Sequence, residues 1–212
     1  MLMQARIDSG KQGQERTFTE LARRAQIVEA AIEVIADQGY ANASFAKIAK
    51  QAGLSSTGMI SYHFRGKGDL IREVVTRIMA TAGESVVARL DAEAGYRARM
   101  RAYFAANLAL VATYPKHMRA LSNIAANATT DDPHLFGLVD QLGATAAAQA
   151  EILRAGQRGG VFRDFDPAVM VMAIRGSLDA AIARAAVDPG FDTDATAREL
   201  AELFDRATRK DA

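Results

Sequence analysis

From Thr19 to Thr208 the apolar residues recur at three- and four-residue intervals, and no strand-length run alternates apolar with polar. That period restricts the chain to helices packed on helices, an all-α fold. Glycine and proline punctuate it. Thr19 is placed to cap a first helix with Leu21, Ala25, Ile27, Val28, Ala31, Ile32, Val34 and Ile35 on one stripe, ended by Gly39. Ser44 caps a second, Phe45 to Gln51, which Gly53 closes. Ser55 or Ser56 caps a third, running to about His63, and Lys67 to about Leu90 is the fourth. Tyr96–Thr113 follows and stops at Tyr114-Pro115, because the residue before proline disfavours helix. Pro115 opens another helix, to about Ala128, and a loop at 129–133 precedes a long one to about Gln157. Gly159-Gly160 breaks that helix, and Asp166-Pro167 begins the next, to about Val187. Thr193 or Asp194 caps a last helix to about Thr208, for about nine in all. Residues 1–17, polar and without period, read as a disordered tail. The expected division is then an N-terminal three-helix domain at 18–66, a linking helix at 67–90 and a C-terminal helical domain at 91–212.

One stretch carries chemistry: Ser44 to Lys67, SFAKIAKQAGLSSTGMISYHFRGK. It has the parts of a helix-turn-helix. Phe45, Ile48 and Ala49 give a supporting helix its inward face, Gly53 supplies the turn, and Leu54 plugs it. The second helix opens on Ser55, Ser56, Thr57 and Gly58, which present hydroxyls and little bulk. Such a helix can enter a major groove about 12 Å wide, its first residues against base edges. Thr57, Met59 and Ser61 are the candidates for base edges. Ser44 and Lys47 are backbone positioners. Tyr62 offers a hydroxyl to phosphate, His63 ends the helix beside it, and Lys67 should meet a phosphate. Ile60 and Phe64 belong to the core.

Charge agrees. The chain is nearly neutral, at +1, yet no Asp or Glu occurs from Gln38 to Gly68, where Lys47, Lys50, Arg65 and Lys67 lie. Residues 1–80 hold 11 Lys and Arg against 8 Asp and Glu; the remainder holds 15 against 17. A local basic excess is the footprint expected of phosphate binding.

Other classes find less support. No cysteine is present, so disulfides and thiolate metal sites are excluded and a cytosolic location is compatible. The N-terminus lacks a signal-peptide core, and no apolar run reaches the length of a membrane span. His117 and His134 have no metal-ligand spacing, so no metal and no cofactor is expected. No nucleophile elbow, phosphate loop or dinucleotide fingerprint occurs, so the chain is not read as an enzyme. The alternative, a helical small-molecule-binding protein or enzyme without a DNA role, leaves the acid-free window unexplained.

The whole cassette resembles the N-terminal domain of the TetR family of bacterial transcriptional regulators. The matching pieces are Ile27–Tyr40 (IVEAAIEVIADQGY), Ser44–Gly53 (SFAKIAKQAG) and Gly58–Leu70 (GMISYHFRGKGDL). They cover about residues 20–72. Counted back from Phe64, the turn carries one residue more than the family's common pattern. Either Ser55 or Ser56 is extra, which leaves the base-contacting register open by one position. The resemblance implies a repressor in the bacterial cytoplasm at the nucleoid. It implies a C-terminal domain that forms a homodimer and binds a small-molecule effector, and a near-palindromic double-stranded DNA operator.

Two expectations for the C-terminal part follow. Val169, Met170, Met172, Ala173, Ile174, Gly176, Ala180, Ala181 and Ile182 make one helix apolar over most of its girth, and Leu200, Leu203 and Phe204 stripe the last. Met172, Arg175, Gly176, Asp179, Ala180, Leu200, Leu203 and Phe204 are therefore the expected dimer interface, with Arg175 and Asp179 pairing within the helix or across the twofold axis. The expected effector pocket mixes apolar bulk with scattered polar atoms: Tyr103, Phe104, Asn107, Leu108, Val111, Met118, Leu121, Phe136 and Val139.

Overall fold

The buried half of the first helix organises everything near it. In a computed structural model describing residues 2–127 and 136–210, with side chains for 18–127 and 145–210, α1 spans Leu2–Gln38. Ile27, Ala31, Ile32 and Ile35 on it are essentially inaccessible to water. Each of the three isoleucines contributes about 1.5–3 kcal/mol on burial. Around this stripe pack α2 (Phe45–Gln51), α3 (Gly58–His63) and α4 (Lys67–Asp91). Ile48, Ile60, Phe64, Leu70, Val74 and Ile78 fill the space between them.

α1 does not start at Thr19. It begins at Leu2, so the segment expected to be a disordered tail continues the helix. Starting a helix is costly, but extending one gains a hydrogen bond for each residue fixed. No proline precedes residue 115 to stop it. The apolar stripe is correspondingly shorter than the sequence suggests: Leu21 and Ala25 are exposed, and burial begins at Ile27.

The remaining helices are α5 (Tyr96–Thr113), α6 (Pro115–Asn127), α7 (Phe136–Arg158), α8 (Pro167–Val187) and α9 (Thr193–Thr208). Among the described residues these nine helices are joined by no strand, only an isolated bridge between Phe162 and Arg209. Gly39 ends α1 at φ +83°, a conformation that glycine adopts without a steric penalty. Asp166 caps α8, accepting from the backbone N–H groups of Ala168 and Val169. The cap of α9 is Asp192, not Thr193 or Asp194: its extended backbone aims the carboxylate at the Ala195 N–H.

α6 joins the two halves. It packs along α1, and Asn123 Nδ2 donates to the Ile35 carbonyl at 3.0 Å. At its other end Lys116 faces Glu33 and Asp37 at 3.8 and 3.5 Å. A second core lies between α5, α8 and α9, where Phe104 stacks on Phe204 with centroids 5.3 Å apart. A third joins α7 and α8 through Ala150, Leu153, Phe162 and Val171. No helix among the described residues is long and apolar enough to cross a membrane.

Candidate nucleic-acid interface and apolar cavity

The helix-turn-helix is built from α2, its turn and α3. Ser44 caps α2, its hydroxyl accepting from the Lys47 N–H. The far end closes as a Schellman motif: the Leu54 N–H donates to the Ala49 carbonyl at 2.8 Å and the Gly53 N–H to Lys50 at 3.2 Å. Gly53 sits at φ +64°, as that motif demands. Leu54 folds back against the core and fixes the angle at which the chain leaves α2.

Ser55 and Ser56 both lie in the turn, and α3 starts only at Gly58. The cap is Thr57 instead of either serine. Its backbone is already helical, at φ −67° and ψ −21°, so its hydroxyl makes no capping bond while its carbonyl accepts from Ile60 and Ser61. The extra residue of the turn is thus absorbed before the helix, and the register of α3 is set by its anchors. Ile60 and Phe64, both essentially buried, point inward. Ser55, Ser56, Thr57, Gly58, Ser61 and Tyr62 are left exposed, with Met59 and His63 half-buried beside them. Ser44 and Lys47 are exposed on the neighbouring helix. Of this set, Ser56, Gly58, Met59, Tyr62 and His63 line one shallow recess. Tyr62 is the largest member of the set, 74% exposed, with its ring edge-on to His63.

Lys67 is more constrained than its sequence position suggests. Its ammonium donates to the Tyr40 carbonyl at 2.9 Å and lies 4.4 Å over the Tyr40 ring. Burial lowers its pKa below the usual lysine value. An ammonium carries three donors, so two remain for a phosphate. Lys67→Ala is expected to weaken binding alike on every duplex and to lower the salt slope by about one. An unchanged slope in a salt titration would confine the ammonium to the Tyr40 carbonyl.

Three supporting residues escaped sequence reasoning. Arg24 on α1 donates to the His63 carbonyl at 2.6 Å and to Glu73 of α4 at 3.0 Å, and its guanidinium covers the Phe64 ring at 4.4 Å. It ties the end of α3 to both flanking helices. Gln26 donates to the Ala52 carbonyl at 2.6 Å, pinning the turn. Both lie within the turn that leads into the buried stripe, where a long polar side chain reaches over a core edge. The third is Glu20, which lines the same shallow recess with Arg23, Ser56, Met59 and Tyr62. The face is acid-free along the chain from 38 to 68, but α1 brings one carboxylate to its border.

Behind this domain, a cavity of about 340 Å³ opens between the last turn of α4 and helices α5, α7 and α8. From α5 come Tyr96, Arg99, Met100 and Tyr103; from α7, Gln149, Ile152 and Leu153. Leu90, Phe162, Val171 and Ile174 complete most of the wall. Of the expected pocket residues whose side chains are described, only Tyr103 lines it. Phe104 and Leu108 are buried in the second core, and Met118 in the first. Val111 and Leu121 pack against that first core, and the Asn107 amide is turned onto the Tyr103 carbonyl of its own helix at 2.8 Å. The side chains of Phe136 and Val139 fall outside the described residues. The face of α5 one residue round from the expected one meets the cavity, because α9 takes the other. Tyr96, Met100 and Tyr103, at helical spacing, were the signal in the sequence.

Phe162 shapes this cavity through Gly156. A Cβ at Gly156 would lie against the Phe162 ring, well inside contact distance. Gly156→Ala is expected to push the ring off α7 and cost about 1–3 kcal/mol, read as a lowered denaturant midpoint.

The expected dimer residues divide. Val169, Met172, Gly176, Asp179, Ala180 and Leu203 are exposed, opposite the buried face of α8. Arg175 is half-buried, and among the described residues it forms no ion pair with Asp179. Phe204 is not on this surface: it is 7% exposed, stacked on Phe104, with Leu200 packed beside it.

An all-α protein with a helix-turn-helix at its front and an apolar cavity behind is the class that these features define. The family model described as bacterial regulatory proteins, tetR family, matches residues 27–74. HTH-type transcriptional regulator BetI 1 of Chromohalobacter salexigens is 42% identical over 67 residues, 32% of this chain and 33% of that protein. BetI of Escherichia coli is 39% identical over 70 residues, 33% of this chain and 35% of that one. These matches span about a third of the length of the curated relatives. Two solved structures share the fold over nearly the whole chain. A transcriptional regulator from Saccharomonospora viridis in complex with choline has a TM-score of 0.76 and 24% identity, covering 89% of this chain and 98% of that one. Another from Pseudomonas aeruginosa PAO1 has a TM-score of 0.75 and 23% identity, covering 88% and 90%. The likeness to the tetR family of bacterial regulatory proteins therefore lies in the N-terminal domain, at residues 27–74.

Proposed function

We propose that the chain is a sequence-specific DNA-binding transcriptional regulator, a repressor released from its operator by a small-molecule effector. The observation that carries this reading is the exposed, small and polar face of α3 held over two buried anchors, Ile60 and Phe64. Thr57, Met59 and Ser61 would meet base edges, Ser44, Lys47, Tyr62 and Lys67 the backbone. Phosphate contacts set the position, and base contacts choose the sequence.

The working unit is a homodimer in the bacterial cytoplasm, at the nucleoid. An exposed run of Val169, Met172, Ala173, Gly176 and Ala180 on α8, with Leu203 on α9, suits close packing against a second copy as a four-helix bundle. Two recognition helices would then lie one DNA turn apart, about 34–36 Å, on a near-palindrome. The domain division at 18–66, 67–90 and 91–212 follows the same logic. α4 starts three residues after Phe64 and ends at Leu90 and Asp91, beside the cavity. An effector there would act through its different affinity for two settings of α4.

The test is sedimentation of the purified chain together with gel shift of DNA from upstream of its own gene. A dimer that retards the fragment is expected. A monomer that shifts none of it would overturn the reading.

A further inference from the structure

The polar groups of the α4–α5–α7–α8 cavity are mostly donors. Gln149 Nε2 donates to the Tyr103 hydroxyl oxygen at 2.7 Å, and among the described residues that hydroxyl has no acceptor for its own hydrogen. At the mouth stands Arg99, 49% exposed, with one of its five N–H donors directed to Asp91 at 3.2 Å. Asp91 is itself 66% exposed, and so open a pair is too weak to hold the guanidinium against a better acceptor. Among the described lining residues the side-chain acceptors are the Gln149 oxygen and the hydroxyl oxygens of Tyr96 and Tyr103, and none is acidic.

Apart from the Tyr96 hydroxyl and the Met100 sulfur, the remaining described side chains of the wall are hydrocarbon. Leu153, Phe162, Val171 and Ile174 close the inner end, with Tyr96 edge-on to Phe162 at 5.8 Å. Aromatic rings can also cage a quaternary ammonium. Here such a cation would meet a guanidinium at the entrance, with no carboxylate among the described lining residues to offset it.

We infer that this cavity takes a small molecule with an apolar body and a carboxylate end, the carboxylate lying between Arg99 and the Tyr103 hydroxyl. The inference rests on the effector reading above and narrows its chemistry. A cation of the choline type, bound in the solved protein of the same fold, is not the ligand of this cavity.

Calorimetric titration of the full-length chain with octanoate, octanol and octyltrimethylammonium separates the possibilities. Octanoate should saturate at one molecule per chain and bind at least about tenfold more tightly than either other probe, the yield of one charge-assisted hydrogen bond. Arg99→Gln should remove that margin and leave octanol binding unchanged, which a general loss of folding would not do. Tyr103→Phe should also weaken octanoate selectively. Octyltrimethylammonium binding as tightly as octanoate would overturn the inference, as would an octanoate affinity indifferent to Arg99→Gln or no saturable binding by any probe. Gel shift on the same preparation keeps the two readings apart: retarded DNA with no octanoate binding removes the ligand class and leaves the regulator standing.

Discussion

Phe64→Ala is expected to destabilise the N-terminal domain by about 3–5 kcal/mol, the cost of truncating a fully buried phenylalanine. A whole domain is stable by only about 5–15 kcal/mol, so the helix-turn-helix would be largely lost at physiological temperature. The residue is 2% exposed and is the point where α1, α3 and α4 meet. Its ring also carries the Arg24 guanidinium, whose bonds to His63 and Glu73 lose their platform with it. Denaturant unfolding followed by circular dichroism measures the effect, and DNA binding should vanish with it. Tyr62→Ala, two residues earlier and exposed, is the control. Its stability should change by less than about 0.5 kcal/mol.

Gly58→Glu should do the opposite: abolish DNA binding and leave the fold intact. The first residue of α3 is exposed, and a Cβ there meets nothing closer than the Ser56 hydroxyl at 3.5 Å. Its φ is not positive, so a side chain introduces no backbone strain. Replacing a helical glycine stabilises by about 0.5–1 kcal/mol, and a carboxylate in a first turn is favourable to the helix dipole. Against DNA the same carboxylate is aimed at a polyanion from the tip of the recognition helix. Like-charge contact costs several kcal/mol, so affinity should fall by about a hundredfold or more. A melting temperature unchanged or raised, beside lost gel shift, is the expected pair of results. Retained DNA binding would remove α3 from the groove.

Helix existence and most helix ends were legible in the chain because glycine, proline and capping residues mark them locally. α5 and α8 begin and end where Tyr96, Pro115, Pro167 and Asp188 require. The inward and outward faces of α2 and α3 were legible too, since Ile48, Ile60 and Phe64 can only turn inward once Gly53 sets the turn. What failed was decided by contacts distant in sequence. Phe204 reads as part of an interface stripe until Phe104, a hundred positions earlier, is placed on its ring. Tyr103 and Phe104 are adjacent on α5, and only the arrival of α9 decides which one faces a core and which a cavity. The helical start at Leu2 was hidden because propagation from an anchored helix leaves no periodic trace in a polar segment. Arg24 was overlooked because an arginine beside an apolar stripe looks like solvent-facing charge until its partners at 63 and 73 are folded against it.

Both serines of the turn lie before α3, and Thr57, Met59 and Ser61 are the residues proposed to meet base edges. Selection of bound duplexes from a random pool by the full-length chain tests the central claim most directly. Enrichment of a near-palindrome whose half-sites are centred about 10–10.5 base pairs apart, or a multiple of that, is expected. A pool that emerges unenriched, or an enriched site with no second half, would contradict that claim.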